Sequence, residues 1–221
     1  MNDVLVFYAT TEGQTGRIAE RIAAVLRDRG FRATAIDLQT PGAFDVDWTG
    51  VRAVILGASL HLQHHQPVAA EFAETFSASL NALPSAFFSV SLSAAAHDER
   101  QVQAARDLAR AFVRAAHWKP QRVVCFAGGL AYSKYGFLKR LAIRLISKRN
   151  GGPTDTRRDY DLTDWDAVWR FALDVAAGLA EQGPAIESRH HGTGEFAAGG
   201  QYWRPATPGE APASAGRVRL H

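Results

Sequence analysis

Residues 4–15 read VLVFYATTEGQT, from Val4 to Thr15, and this stretch decides the fold. Val4–Ala9 is an apolar run without alternation, the pattern of a strand buried on both faces. A turn of hydroxyls around one glycine follows: Thr10, Thr11, Glu12, Gly13, Gln14 and Thr15. Ile18, Ile22, Val25 and Leu26 then recur at i, i+4, i+7 and i+8, one face of a helix that Gly30 stops. A buried strand, a short polar turn and an amphipathic helix make the opening unit of a parallel α/β sheet.

Moving outward, the alternation continues. Phe31–Leu38, Val51–Leu56 (closing in Gly57-Ala58-Ser59), Ala86–Leu92 and Val123–Ala127 (before Gly128-Gly129) all read as buried strands. Between them, Pro67 opens a helix with Val68, Phe72 and Phe76 on one stripe. Another from about Glu99 carries Val102, Ala105, Leu108, Phe112 and Val113. A last helix is expected from Thr163, read as its N-cap with Asp166 three residues on, burying Trp165, Val168, Trp169, Ala172, Val175 and Leu179. Five strands in this order predict a doubly wound, five-stranded parallel sheet with helices on both faces. Residues 1–182 are expected to form that domain, with an insertion at about 130–162 too long for a plain strand-to-helix connection. From Gly183 to His221, 11 of 39 residues are Gly or Pro and no hydrophobic period survives, which predicts a disordered tail.

Composition narrows the class. With 47% hydrophobic and 21% charged residues the chain is globular, not fibrous or wholly disordered. No run of 18 apolar residues occurs, and the strand-like N-terminus lacks the pattern of a signal peptide. Cys125 is the single cysteine, so neither an internal disulfide nor a cysteine metal site is expected, and a cytoplasmic location is. The net charge of +3 conceals a segregation. Leu108–Thr154 holds ten Lys and Arg and no acid, while the rest of the chain holds 15 cations against 22 anions. A positive block of this size predicts an anionic partner.

The Thr10–Thr15 turn suits a phosphate, since hydroxyls and free N–H groups at a helix N-terminus attract an anion and Gly13 permits close approach. An ordinary capped turn is the other reading. The loop lacks the lysine of a nucleoside triphosphate loop and the pattern of a dinucleotide fingerprint, so a monophosphate is expected. His61, His64 and His65 follow the third strand and read as a polar surface loop, or as proton carriers or substrate contacts; metal binding is disfavoured, because no Cys or acid is suitably spaced. Within the insertion, AYSKYGFLKRLAIRLISKRN (Ala131–Asn150) places Phe137, Leu138, Leu141, Ala142, Leu145 and Ile146 on one helical face. Lys139, Arg140, Arg144 and Lys148 fall mainly opposite. The pattern fits a membrane interface, a helix docked on the domain, or cations paired with substrate carboxylates. No nucleic-acid-binding module accompanies it.

The opening turn resembles the FMN phosphate loop of flavodoxins, with Glu12 where they carry Thr. A closer resemblance is to the flavodoxin-type, quinone-dependent protoporphyrinogen dehydrogenases. It rests on Glu12-Gly13-Gln14-Thr15, Gly57-Ala58-Ser59, Leu83-Pro84-Ser85-Ala86-Phe87, Trp118-Lys119-Pro120, Gly151-Gly152-Pro153-Thr154-Asp155-Thr156-Arg157 and Thr163-Asp164-Trp165. The likeness spans roughly residues 3–180. It implies a flavodoxin-like fold and FMN as cofactor. In such a sheet the ligand lies beyond the carboxyl ends of the strands at the switch point. Thr10–Thr15 are then expected at the phosphate, Ser59, Leu60, His61 and Leu62 with Ser89, Val90, Ser91 and Leu92 beside the ring, and Asp155 at the end of the insertion. Tyr132, Tyr135, Lys139, Arg140 and Arg144 are expected toward substrate or membrane. The resemblance implies oxidation of protoporphyrinogen IX with electrons passed to a membrane quinone, on the cytoplasmic face of the inner membrane. A flavodoxin-like electron carrier and an NAD(P)H-quinone reductase are the alternatives. No side chain is singled out as an obligatory acid or base.

Overall fold

The structure is a computed structural model and describes residues 3–61, 63–130, 155 and 159–182. The basic segment with Tyr132, Tyr135, Lys139, Arg140 and Arg144 lies outside the described residues, as do Leu62 and the expected tail.

Element order is β1 (Asp3–Ala9), α1 (Gln14–Asp28), β2 (Arg32–Asp37), β3 (Val51–His61), β4 (His64–His65), α2 (Pro67–Thr75), α3 (Ser77–Ala82), β5 (Ser85–Ser91), a 3-10 turn (Leu92–Ala95), α4 (Glu99–Ala115), β6 (Arg122–Ala127), β7 (Gly129–Leu130), β8 (Tyr160–Asp161) and α5 (Trp165–Glu181). The parallel path runs β2-β1-β3-β5-β6. The chain leaves β1 toward β2, then returns to build outward on the other side through β3. The switch point therefore lies between β1 and β3, and their carboxyl ends frame a crevice.

Two cores flank the sheet, because its strands bury both faces. On one side α1 (Ile18, Ile22, Val25, Leu26) and α5 (Val168, Phe171, Ala172, Val175) pack on Val4, Val6, Ile55 and Phe88. On the other, Phe72, Leu80, Ala109 and Val113 cover Phe7, Leu56, Phe87 and Trp118. Each large apolar side chain so buried contributes about 1.5–3 kcal/mol.

Several boundaries differ from the sequence expectation for packing reasons. β3 does not end at Gly57; it continues to His61. Gly57 is central because a Cβ there would lie 2.0 Å from Cζ of Phe88, so the glycine makes room for a ring. Two-residue β4 pairs antiparallel with the end of β3, His61 opposite His64 and Leu60 opposite His65, and adds a sixth strand to the sheet. Asp164, not Thr163, caps α5, its carboxylate accepting from the Ala167 N–H. Thr163 is engaged elsewhere, donating its hydroxyl to the Ala127 carbonyl at 2.9 Å. Trp169, expected in the core, is 41% exposed, and Phe171 takes the buried place.

Candidate functional site

The crevice at the switch point is built first by the turn between β1 and α1. Thr10 Oγ accepts the Gly13 N–H at 2.9 Å, and Gly13 adopts φ 99°, the left-handed region that glycine enters at little cost. That turn starts α1 at Gln14, whose first N–H groups have no acceptor within the helix. Thr15, in the first turn, is 1% exposed, and its hydroxyl has no hydrogen-bond partner among the described residues. An orphaned buried hydroxyl normally costs about 1–3 kcal/mol, so its retention fits an absent acceptor at this point. Helix N–H groups, a left-handed glycine and that hydroxyl together fit a phosphate group.

The Gln14 side chain is committed elsewhere. Its Nε2 donates to Asp161 Oδ1 at 2.8 Å and to Thr163 Oγ at 2.6 Å, while Arg17 donates to Gln14 Oε1 at 2.9 Å and to Asp161 Oδ2 at 3.1 Å. Trp165 Nε1–H also donates to Asp161, and the Arg17 guanidinium lies 5.3 Å from the Trp165 ring centroid. Burial works to raise the Asp161 pKa, but hydrogen bonds from Thr163 and Trp165 and the Arg17 charge bring it below the ordinary value. The loop sequence Gly13-Gln14-Thr15 and the later Thr163-Asp164-Trp165 thus meet in space, at the root of the segment that leaves after Leu130.

Opposite the turn, the end of β3 contributes Ser59, 7% exposed, half-buried Leu60 and exposed His61. Gln66, just before α2, bridges the two sides: its Nε2 donates to Thr11 Oγ at 2.6 Å and to Ser59 Oγ at 2.7 Å. Nothing in the local sequence marked Gln66, because one partner lies 55 positions away.

Of the residues expected beside a ring, Ser91 at the end of β5 caps the 3-10 turn by accepting the Ala94 N–H at 3.2 Å, and Leu92 in that turn is 40% exposed. Ser89 and Val90 are both buried, Val90 in the core beneath α1 and α5. Ser89 Oγ lies 2.9 Å from Nε2 of His65. His65 is not a surface-loop residue: its ring sits 5.4 Å from Phe87 and 4.8 Å from Phe112, and burial pushes its pKa down from 6.5 to about 4. His61 and His64 are exposed. Half-buried Glu12 lies in the turn, and Asp155 is exposed. Burial raises the pKa of the Cys125 thiol, so it is a poor nucleophile. Among the described residues no cluster of three or more His, Cys, Asp or Glu could hold a metal, and no helix is long and apolar enough to cross a membrane.

Residues 5–157 match the family model described as "Flavodoxin domain". The chain is 35% identical over 172 residues to the protoporphyrinogen IX dehydrogenase (quinone) of Escherichia coli K12, covering 78% of this chain and 93% of that one. It is 36% identical over 174 residues to the protein of the same name from Leishmania major, covering 78% and 74%. Among solved structures, oxidised flavodoxin 1 from Bacillus cereus aligns with a TM-score of 0.47 at 14% identity, over 79% of this chain and 97% of that one.

Proposed function

The chain belongs to the flavodoxin-domain family and, within it, to the quinone-linked protoporphyrinogen IX dehydrogenases, and we propose that it oxidises protoporphyrinogen IX at an anionic membrane surface. It is an oxidoreductase, and FMN is its cofactor. The observation that carries our location of the cofactor is the buried Thr15 hydroxyl at the start of α1, which has no hydrogen-bond partner among the described residues. In this reading Thr10, Thr11, Glu12, Gly13, Gln14 and Thr15 hold the phosphate, with Gln14 contributing its backbone N–H. Ser59, Leu60, His61, Ser89, Val90, Ser91, Leu92 and Asp155 surround the remainder of the group.

Bound FMN supplies two-electron redox chemistry. Protoporphyrinogen IX gives up six electrons and six protons on becoming protoporphyrin IX, so three quinones become three quinols per macrocycle. The protein's part is to bind and orient. The α1 N-terminus neutralises phosphate charge without a lysine in the turn. In this reading Tyr132, Tyr135, Lys139, Arg140 and Arg144 serve recognition of substrate or membrane, the guanidinium and ammonium groups pairing with the two propionates of the macrocycle and with anionic headgroups. Each cation near such a leaflet adds about 1 kcal/mol of attraction. The quinone resides in lipid, so the protein works as a peripheral protein on the cytoplasmic face of the inner membrane. Residues 1–182 form the working domain, and 183–221 serve neither folding nor flavin binding.

Anaerobic reduction of the purified flavoprotein tests this. Protoporphyrinogen IX is expected to bleach the flavin absorbance faster than NADPH, and a quinone analogue to restore it. Bleaching by NADPH alone would overturn the substrate assignment and favour a nicotinamide-linked quinone reductase.

A further inference from the structure

We propose that Gln66 is a positioning residue that turns the hydroxyls of Thr11 and Ser59 into donors aimed at the cofactor; this rests on the reading above that the Thr10–Thr15 turn and the end of β3 hold FMN. Gln66 itself is well fixed. It precedes Pro67, which favours an extended conformation, and it has φ −61° and ψ 136°. Its carbonyl accepts the Ala69 and Ala70 N–H groups at 3.0 and 3.3 Å, so its backbone is locked to the start of α2. The side chain makes no cap for that helix. It crosses instead to the two walls of the crevice, with Nε2 at 2.6 Å from Thr11 Oγ and 2.7 Å from Ser59 Oγ.

An amide nitrogen has two protons, and these two bonds use both. A hydroxyl has one proton and two lone pairs. Once Thr11 and Ser59 each accept from Gln66, the proton of each is left to donate. Neither hydroxyl has another partner among the described residues. Both donors therefore face a ligand rich in acceptors, one from the phosphate turn and one from the far wall. A single side chain thereby sets the polarity of two groups that lie 48 positions apart in the chain. Without it, each hydroxyl is free to rotate or to accept from water, and the loss is one of pre-organisation.

The test compares FMN with riboflavin, which lacks the phosphate, by quenching of flavin fluorescence on titration with apoprotein. Gln66→Met keeps length and removes both donors. It is expected to weaken FMN binding about tenfold, and riboflavin less, because Thr11 belongs to the phosphate turn. In a Thr11→Val/Ser59→Ala background the same change should cost less than about twofold, since Gln66 acts through those hydroxyls. Gln66→Glu keeps the shape but only accepts, drawing both protons inward, and should weaken FMN more than Met does. It serves also if the Met variant folds poorly. A merely structural residue would lower the thermal midpoint and weaken both flavins equally, with the same loss in the double-variant background. That result overturns the proposal, and so does unchanged or tighter FMN binding by Gln66→Met; tighter binding means that Oε1 faces the hydroxyls. Failure of the parent protein to bind FMN would instead sink the flavin reading itself, and this proposal with it.

Discussion

His65 makes the stability of this protein depend on acid in a way that can be worked out. The ring packs beside the stacked pair of Phe87 and Phe112 with Ser89 Oγ 2.9 Å from Nε2, and burial pushes its pKa down to about 4 from 6.5 for a free histidine. A folded-state pKa below the unfolded value means that the unfolded chain takes up the proton first as pH falls. Stability is then full above about pH 6.5, declines through the window down to about pH 4, and levels off below it. At 1.36 kcal/mol per pH unit, linkage makes the loss about 2 kcal/mol at pH 5 and about 3 kcal/mol near pH 4. Gln in place of His65 can still reach Ser89 but cannot take a proton in this range. Urea unfolding, followed by tryptophan fluorescence at pH 8, 6.5, 5 and 4, gives the unfolding free energy of parent and His65→Gln. The difference between the two curves removes the carboxylates common to both. The parent should lose about 2 kcal/mol more than the variant between pH 8 and pH 5. Parallel curves would refute the argument, and so would a parent that gains on the variant as acid is added.

Four further outcomes are expected. Thr15→Val should raise the stability of the flavin-free protein by about 1 kcal/mol, by deleting an orphaned hydroxyl, yet weaken FMN tenfold or more; denaturant melts and flavin titration read the two halves, and unaltered affinity would remove Thr15 from the site. Gly57→Ala should destabilise by about 3 kcal/mol, because its Cβ would meet the Phe88 ring at 2.0 Å, and adding Phe88→Leu should recover part of the loss in calorimetry. A chain ending at Gln182 should keep both its thermal midpoint and its yellow colour, whereas a marked fall in midpoint would show that Trp203 and its neighbours support the domain. Replacing Lys139, Arg140 and Arg144 with Glu should leave FMN bound but reduce sedimentation with anionic liposomes. The parent's own binding should weaken with salt, since exposed charges are screened over about 8 Å at physiological ionic strength; equal sedimentation of both proteins at low salt would refute the membrane role.

Much of the architecture is readable in the chain because burial on both faces leaves a simple mark. Val4–Ala9 and Val51–Leu56 are apolar at nearly every position, and Ile18, Ile22, Val25 and Leu26 keep helical spacing. The turn proposed for the phosphate is equally plain, since its hydroxyls and glycine are contiguous. What escapes a local reading depends on partners distant in sequence. His65 looks like surface polarity until β4 folds it against Phe87 and Phe112, and Gln66 is unremarkable until Thr11 arrives beside it. Gly57 resembles a strand end, although the ring that requires it comes from the neighbouring strand. Trp169 keeps the spacing of a core residue, yet it is 41% exposed, and α5 buries Phe171 instead.

The antiparallel pairing of β7 with β8 sets Gly129 opposite Asp161 and Leu130 opposite Tyr160. Chain departs and returns at one doorway, and the Leu162 N–H bonds the Gly128 carbonyl at 3.2 Å to hold that doorway shut. Whatever is threaded through it can be exchanged as a cassette without moving the register of the parallel strands. Doubling the length of a connection costs only about 0.6 kcal/mol of closure entropy. A protein engineer can therefore vary the length of chain between Leu130 and Tyr160 while the parallel sheet keeps its register.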